Sequence, residues 1–319
     1  MAAVKRTSRG SAQNMDILNH QDLAALTLPY AVLAGGRTML SDSEVKLLFM
    51  LARDYMPADM EIVDAGAFVG GSARALAAGL DARLDKSGFI GRVHSYDLFR
   101  TKSDYYNKVL LGTVGEDGSF LPHFVQNTRQ WAEYINVYAG DFTDFRWIGR
   151  PISLLFVDIS KTPQLDRYVW TEFVPHLKVG RSMMIQQDFV HIHAPYVHVA
   201  LGYYIDHFDI LGLVGSSLLM RYRRKIDHTA LEDGANLATQ GAFEDKMQAL
   251  DRLSERLSPL QAYEGSATLE LVKCRVALDH DEIDLARRTV AAVRRDFADL
   301  THPHFQARVR YIEDRLPKD

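Results

Sequence analysis

Short apolar runs alternate with longer amphipathic segments over residues 41–225. Apolar residues three or four positions apart indicate helices, and short apolar runs between turn residues indicate strands. The predicted helices are Ser41–Tyr55, Gly71–Leu80, Pro122–Tyr134, Gln164–His176 and Tyr196–His207. The predicted strands are Glu61–Ala65, Arg92–Asp97, Asn136–Ala139, Ile152–Asp158, Ser182–Gln187, Ile210–Val214 and Leu218–Arg223.

The order of these elements predicts the fold class. Ile152–Asp158 is almost continuously apolar, as a central parallel strand must be when helices cover both of its faces. The last two strands are joined by a tight turn at Gly215-Ser216. Alternating strands and helices that end in a hairpin predict an α/β fold, with a mostly parallel sheet and an antiparallel last strand at its edge.

The pattern changes after Lys225. Leu231–Gln240 is polar and small, and the segments after it have helical spacing: Phe243–Leu257, Ala267–Leu278, Glu282–Phe297 and Phe305–Leu316. Two of these resemble an αα-hairpin of the tetratricopeptide kind, although fewer than two repeats are visible. We expect a flexible tail over residues 1–18, an α/β domain over 19–227 and a helical C-terminal domain over 228–319.

Composition excludes several classes of protein. The chain has 319 residues, a formal net charge of −4 and one cysteine, Cys274. The small net charge gives no indication of nucleic-acid binding, and a lone cysteine excludes an internal disulfide and fits a reducing compartment. No apolar stretch reaches the roughly 18 residues of a membrane span, and no secretory signal is visible. We expect a cytoplasmic protein that binds neither nucleic acid nor membrane.

A glycine-rich turn follows the first predicted strand, in the segment Asp64–Ser72. Glycine lets the backbone turn sharply and approach a ligand closely. The helix that begins there offers free N–H groups and the positive end of its dipole. Such a turn also occurs where no ligand binds, so by itself it is a weak signal.

Acidic residues end the neighbouring strands and strengthen this interpretation. Asp97 closes the second strand, where a carboxylate can bind both hydroxyls of a ribose. Asp141-Phe142 follows the third strand, and a carboxylate beside an aromatic ring suits the amino group and face of an adenine. Asp158 ends the fourth strand. The carboxyl ends of parallel strands share one edge, so Asp64, Asp97, Asp141 and Asp158 are predicted to line one nucleoside-binding crevice.

Four stretches resemble class I S-adenosylmethionine-dependent methyltransferases: Ile62–Ser72 with its Gly-Gly-Ser, Ser95–Phe99, Phe156–Thr162 and Ile185–Phe189. Within that class the chain is most similar to the macrocin-O-methyltransferase-like group and its cephalosporin-hydroxylase-like relatives. The resemblance covers about residues 40–220 and leaves out the helical tail. It implies a Rossmann-like methyltransferase sheet that ends in a hairpin, which ordinary dehydrogenase Rossmann domains lack.

The resemblance also implies a cofactor and a reaction. S-adenosyl-L-methionine would contact Gly66, Asp97 and Asp141, and its methyl group would pass to a hydroxyl of a small molecule such as a sugar or a glycosylated natural product. The full set of predicted cofactor-binding residues is Asp64, Gly66, Phe68, Gly70, Ser72, Asp97, Leu98, Asp141, Phe142 and Asp158.

A metal site is a further implication. In macrocin-like enzymes an Asp that ends strand four and an Asp-Asp pair that ends strand five hold Mg²⁺, which binds two sugar hydroxyls and lowers the pKa of one. Here those positions are Asp158 and Gln187-Asp188. An amide oxygen ligates more weakly than a carboxylate. Whether Asp158, Gln187 and Asp188 hold Mg²⁺ or another divalent cation therefore stays open.

Histidines after strand five offer another way to activate a hydroxyl. His191, His193 and His198 follow Asp188 closely, and an imidazole can serve as a general base or complete a metal site with the carboxylates. The alternative is that they are hydrogen-bonded loop residues. His191 is closest to Asp188, so the predicted catalytic residues are Asp188, His191 and Asp158.

Further segments flank the predicted cleft. Lys161-Thr162 would contact substrate or cap the next helix, and Thr162 before Pro163 fits a cap. The basic run Arg221–Lys225 would protect an edge strand from pairing with another chain. Tyr105-Tyr106 and Gly112–Gly118 are expected to form a loop over the cleft.

Other functions remain open. One is a catalytically silent methyltransferase-fold protein that acts as a scaffold through its helical tail, which Gln187 and the appended αα-hairpin motivate. Another is a nicotinamide-dependent oxidoreductase, but the terminal hairpin and the lack of a clean G-x-G-x-x-G turn argue against it. The helical tail also leads us to expect a homodimer.

Overall fold

The computed structural model describes residues 20–34, 36–101, 114, 117–257 and 263–317. The expected tail over residues 1–18 lies outside these ranges. So do Tyr105-Tyr106 and most of the segment Gly112–Gly118.

The described residues build one seven-stranded sheet in the order β3-β2-β1-β4-β5-β7-β6. Its strands are β1 Glu61–Ala65, β2 Val93–Asp97, β3 Ile135–Ala139, β4 Ile152–Val157, β5 Met183–Gln186, β6 Phe208–Val214 and β7 Ser217–Tyr222. The pairs within β1–β5 are parallel, and β7 is antiparallel to both of its neighbours. The prediction of an α/β fold with a mostly parallel sheet and a reversed last strand is confirmed.

The position of β7 corrects one detail of the prediction. The strand lies between β5 and β6, so β6 forms the edge of the sheet and β7 does not. Arg221 on β7 therefore does not guard an open edge: its guanidinium donates to Asp209 Oδ2 of the neighbouring strand at 3.0 Å. A cross-strand ion pair between opposite charges stabilises the hairpin instead.

Helices of the first part of the chain cover the sheet. They are α1 His20–Ala25, α2 Tyr30–Ala34, α3 Asp42–Asp54, α4 Gly71–Asp81, α5 Leu121–Thr128, α6 Pro163–Tyr168 and α7 Pro195–Tyr204. A capping box begins α3, in which Ser41 accepts from the Glu44 N–H while Glu44 accepts from the Ser41 N–H. Two helices that the sequence predicts as continuous are shorter, since α5 passes into a 3₁₀ segment at Arg129–Tyr134 and α6 into a π segment at Val169–Phe173.

Within its described ranges the C-terminal part is built of helices joined by short loops: α8 His228–Gln240, α9 Phe243–Leu257, α10 Tyr263–Asp279, α11 Ile283–Asp296 and α12 Pro303–Glu313. The small, polar segment Leu231–Gln240 is part of helix α8. Its small residues permit close packing, because a Cβ on Gly234 would lie 2.3 Å from the ring of Tyr204 on α7. The small residues of this segment therefore let helices α7 and α8 pack closely, and the segment is not a linker.

One hydrophobic cluster joins the sheet to the C-terminal helices. It contains Leu155 of β4 and Val199 of α7 together with Leu250 of α9 and Val272 of α10, all buried. The residues on the other face of the sheet pack in a second cluster against α3 and α4. No helix within the described ranges is both long and apolar enough to cross a bilayer.

Candidate functional site

The turn after β1 brings three strand ends together. Gly66 has φ +99°, and a Cβ added to it would lie 2.4 Å from the carbonyl oxygen of Asp158. The N–H groups of Gly66 and Ala67 both donate to the Tyr96 carbonyl, at 2.9 and 3.1 Å. The ends of β1, β2 and β4 therefore meet at Gly66, where a larger residue would not fit.

Asp97 is held at this junction by the backbone on either side. Its Oδ2 accepts from the Phe68 N–H at 2.9 Å, and its Oδ1 accepts from the Phe99 N–H at 2.7 Å. Phe68 and Phe99 both have positive φ, 45° and 51°, a conformation that costs a residue with a side chain about 1–2 kcal/mol. Leu98 beside the carboxylate is exposed. Burial raises the pKa of Asp97, and the two N–H donors act in the opposite direction.

Asp64 lies beneath the turn rather than in an open crevice. Its side chain is fully buried and accepts from the Ser95 hydroxyl at 2.8 Å. Burial raises the pKa of Asp64 to about 6, while the hydroxyls of Ser72 and Ser95 lower it. Ser72 is buried as well. Gly70 precedes α4 in the left-handed conformation and faces Thr128 of α5. These residues support the turn from inside.

The side chains of Asp141 and Phe142 lie in different environments although the two residues are adjacent in sequence. Asp141 is exposed and caps a 3₁₀ turn, accepting from the N–H and the hydroxyl of Thr143 at 2.9 and 2.7 Å. The backbone and hydroxyl of Thr143 lower the pKa of Asp141. Phe142 is buried, with its ring stacked on Phe173 at a centroid distance of 4.9 Å. The carboxylate is therefore available to a ligand, whereas the ring is part of the core.

Lys161 joins the two carboxylates that end β4 and follow β5. Its Nζ lies 2.7 Å from Asp158 Oδ1 and 2.6 Å from Asp188 Oδ2. Burial lowers the pKa of Lys161, but the two carboxylates raise it by more. The pKa is therefore raised overall, and Lys161 remains an ammonium. Burial raises the pKa of Asp158, which Lys161 counteracts. The strand ends thus meet in a charged cluster of two carboxylates and one ammonium.

Gln187 completes this cluster. With its Nε2 toward the carboxylates, the amide donates to Asp188 Oδ1 at 3.2 Å and Asp158 Oδ1 at 3.1 Å, and Oε1 accepts from Ser216 Oγ at 2.9 Å. The opposite orientation would pair Nε2 with Ser216 and set Oε1 against two carboxylate oxygens. Since like partial charges repel, the first orientation is the favourable one. Gln187 then acts as a donor and presents no oxygen to a cation.

These side chains do not fit the magnesium site that the resemblance implies. A divalent ion that bridged Asp158 Oδ1 and Asp188 Oδ2 would need to lie about 2.0–2.6 Å from two oxygens that already bind Lys161 Nζ. Gln187 supplies an N–H where a third ligand is expected. Among the residues that the structure describes, no group of three or more His, Cys, Asp or Glu side chains is arranged to hold a metal.

The three histidines occupy different environments. His191 is half exposed, with Nε2 3.7 Å from Asp188 Oδ1, and burial lowers its pKa. His193 packs its ring edge-on against Tyr311 of α12 at 4.1 Å. His198 is fully buried, its Nε2 is 2.6 Å from the Phe189 carbonyl, and burial lowers its pKa to about 4. Only His191 of these three adjoins the charged cluster. His198 is hydrogen-bonded, as the alternative interpretation expected, but it lies on helix α7 rather than in a loop, and His193 packs against Tyr311.

A cavity of about 430 Å³ lies between the first turns of α6 and α7 and the C-terminal helices. Tyr196 of α7 lines it, and the Tyr196 hydroxyl donates to the Ser160 carbonyl at 3.0 Å, next to Lys161. Lys246 and His280 line the opposite wall, with Nζ and Nε2 3.2 Å apart. Sequence reasoning missed this wall, because no local pattern shows which face of a helix meets another element.

The structure thus groups the predicted site residues into sets. Gly66, Phe68 and Asp97 form the junction of the turn, while Asp158, Gln187, Asp188 and His191 form the cluster with Lys161. Thr162 caps α6, accepting from the Leu165 N–H at 3.2 Å as predicted. The bridging role of Lys161 was missed. Its position three residues after Asp158 was a signal, because it places the lysine at the same carboxyl edge of the sheet as the strand-end acids.

No family model matches the chain, and no curated protein matches it either. The resemblance carried by Ile62–Ser72 and the strand-end acids therefore stays an expectation. Function has to be argued from the junction, the charged cluster and the cavity themselves.

Proposed function

We propose that this protein is an S-adenosylmethionine-dependent O-methyltransferase acting on a hydroxyl of a small molecule such as a sugar or a glycosylated product. The observation that carries the proposal is the Asp97 carboxylate, held by two backbone N–H groups beside the close approach of Gly66 and Asp158. A nucleoside needs both features, an acceptor for its ribose hydroxyls and a backbone that lets it come close.

The residues around the junction leave hydrogen-bonding positions for a bound nucleoside. Each oxygen of Asp97 takes one N–H and keeps a further lone-pair site for a ribose hydroxyl. Asp141, exposed at the end of β3, is an acceptor for the amino group of the base. The positive end of α4 begins at Gly71 and favours the carboxylate of an amino-acid moiety. The reversed β7 also agrees with the hairpin that the family resemblance implies.

The charged cluster supplies the acceptor side of the reaction. S-adenosylmethionine would supply the methyl group: an O–C bond to the acceptor would form as the C–S bond breaks, and the sulfur would leave as a neutral thioether. The hydroxyl proton passes to His191 Nε2, and the Asp188 carboxylate 3.7 Å away stabilises the imidazolium that results. Holding the hydroxyl in line with the sulfonium methyl provides most of the acceleration, because proximity replaces a bimolecular encounter.

The cavity between α6, α7 and the C-terminal helices is the proposed acceptor site. Its 430 Å³ volume suits a small molecule. Lys246 and His280 on the far wall can donate to hydroxyl oxygens, and Tyr196 connects the cavity to the loop that holds Lys161. The helical tail then forms part of the substrate site rather than an appendage. The buried lone thiol of Cys274 agrees with a cytoplasmic location.

Calorimetric titration of the full chain with S-adenosylhomocysteine tests the cofactor. We expect saturable binding to one site per chain, and no heat at millimolar concentration would remove the proposal. Transfer is tested with methyl-tritiated cofactor against a panel of sugars and glycosides. We expect label in an alkali-stable ether product, as a hydroxyl acceptor requires.

A catalytically silent binding protein is the second candidate. The observation that favours it is Lys161, which neutralises part of the charge on Asp158 and Asp188 and occupies the space between them. Tight binding of S-adenosylhomocysteine without transfer to any hydroxyl in the panel would favour this candidate over the enzyme.

A further inference from the structure

We infer that Lys161 takes the place of a divalent cation in the charged cluster, so that this site works without a metal ion. The inference deepens the proposed methyl transfer and rests on it only for the activity measurement. Its basis is that one ammonium contacts both carboxylates, Asp158 at 2.7 Å and Asp188 at 2.6 Å.

Space is the first reason. A divalent ion that bridged Asp158 Oδ1 and Asp188 Oδ2 would have to sit within about 2.0–2.6 Å of the same two oxygens that Lys161 Nζ contacts. Two cations cannot share that volume. Charge is the second reason, because the ammonium already offsets one of the two negative charges and would repel an incoming ion.

The backbone of Lys161 holds its ammonium in this place. The Lys161 N–H donates to the Ile159 carbonyl at 2.6 Å, and the preceding carbonyl, of Ser160, accepts from the Tyr196 hydroxyl. The next residue, Thr162, caps α6. The side chain therefore extends from a fixed point between β4 and α6 toward Asp188, 27 positions further along the chain.

Gln187 supports the same arrangement. Its amide donates to Asp158 and Asp188, which are then bound by N–H donors from both sides. A metal site would require the amide to turn and give up both of these hydrogen bonds. Lys161 remains half exposed, and its ammonium has a third N–H for the acceptor oxygen as negative charge develops there.

Manganese binding tests the inference without depending on activity. Free Mn²⁺ is measured by electron paramagnetic resonance with the full chain, with and without S-adenosylhomocysteine, for wild type, Lys161→Met, Lys161→Arg and the control Lys178→Met at an exposed position before β5. We expect wild type, Lys161→Arg and the control to leave Mn²⁺ free. Lys161→Met should bind it at least about tenfold more tightly than wild type, because a repelling charge is gone. The double variant Lys161→Met/Asp188→Asn should lose that binding.

Each result has a defined meaning. Stoichiometric Mn²⁺ on the wild-type chain would overturn the inference, as would a folded Lys161→Met protein that binds none. Circular dichroism reports whether Lys161→Met folds. If that variant does not fold, the Mn²⁺ titration of the wild-type chain still tests the inference. Methyl transfer by wild type should continue in excess EDTA, and loss of transfer that Mg²⁺ restores would also overturn the inference. Failure of the proposed function appears separately, as absence of S-adenosylhomocysteine binding.

Discussion

Gly66 faces the carbonyl oxygen of Asp158 at a distance that excludes any side chain, since a Cβ there would lie only 2.4 Å from that oxygen. This contact sets the floor of the proposed cofactor crevice, because it fixes the ends of β1 and β4 relative to each other. Both the stability of the fold and the shape of the crevice therefore depend on it.

Gly66→Ala should destabilise the protein by about 3 kcal/mol or more, because it adds a steric clash to the strain of a positive φ. The matched control is Gly180→Ala, where φ is +74° and nothing lies within 4 Å of the added Cβ. It should cost only about 1–2 kcal/mol. Urea unfolding measures both, and equal losses would contradict the importance of the contact.

Asp97→Asn should weaken S-adenosylhomocysteine binding by about tenfold or more. The amide can accept from only one of the two N–H groups of Phe68 and Phe99, and its NH₂ group would face the other. Leaving a buried donor without an acceptor costs about 1–3 kcal/mol. Calorimetric titration measures the affinity. Asp206→Asn, at an exposed position far along the chain, is the control, and similar losses in both variants would refute the role of Asp97.

The buried carboxyl group of Asp166 leads us to predict a specific dependence of the free energy of unfolding on pH. Burial raises the pKa of Asp166 to about 7, while the hydrogen bond from Trp170 Nε1 acts in the opposite direction. The folded state therefore holds a proton that the unfolded state releases near pH 4. This stabilising contribution is complete below about pH 4 and is lost as the pH rises toward 7.

Asp166→Asn keeps the acceptor for Trp170 but cannot ionise. At pH 8 it should be more stable than wild type, by an amount on the order of 3 kcal/mol, and the two should converge near pH 4. Denaturant unfolding at several pH values measures this difference. A difference that grew toward acid pH would contradict the protonation of Asp166.

Thr239→Trp tests the acceptor cavity. Thr239 is an exposed residue on the cavity rim, so a large ring can enter the cavity without displacing the core. We expect the KM for the acceptor to rise about tenfold or more while the affinity for S-adenosylhomocysteine stays unchanged. Asp233→Trp, exposed on the same helix and away from the cavity, should change neither quantity. An unchanged KM in Thr239→Trp would place the acceptor elsewhere.

Arg308 on α12 connects the helical tail to the segment that carries Asp188 and His191. Its guanidinium donates to the Val190 carbonyl at 3.2 Å and the Thr268 hydroxyl at 2.7 Å, and it pairs with Glu264. Arg308→Met should lower kcat by about tenfold with little effect on cofactor affinity, since it loosens the position of His191. Arg310→Met on the exposed side of the same helix is the control. Identical kcat values in the two variants would show that this link does not position the site.

Local sequence patterns accounted for most of the sheet. The run Ile152–Val157 is buried at every position, as its almost continuous apolar character predicted, and the helix predicted from Ser41 begins with a capping box at that residue. The acid at the end of β2 also lies at the junction with the turn. The buried strand and the cap depend on residues close together in the chain, and the place of Asp97 follows from the strand order that the sequence pattern predicts, because the carboxyl ends of parallel strands share one edge.

Other features depend on contacts between distant segments. Only the tertiary structure decides that β7 lies inside the sheet, that Phe142 turns into the core, and that Lys161 reaches Asp188. The sequence supplies the charges and the strands that carry them, but which side chains meet depends on how separate elements pack. That packing decides whether the carboxylates after β4 and β5 face a metal ion or an ammonium of the chain itself.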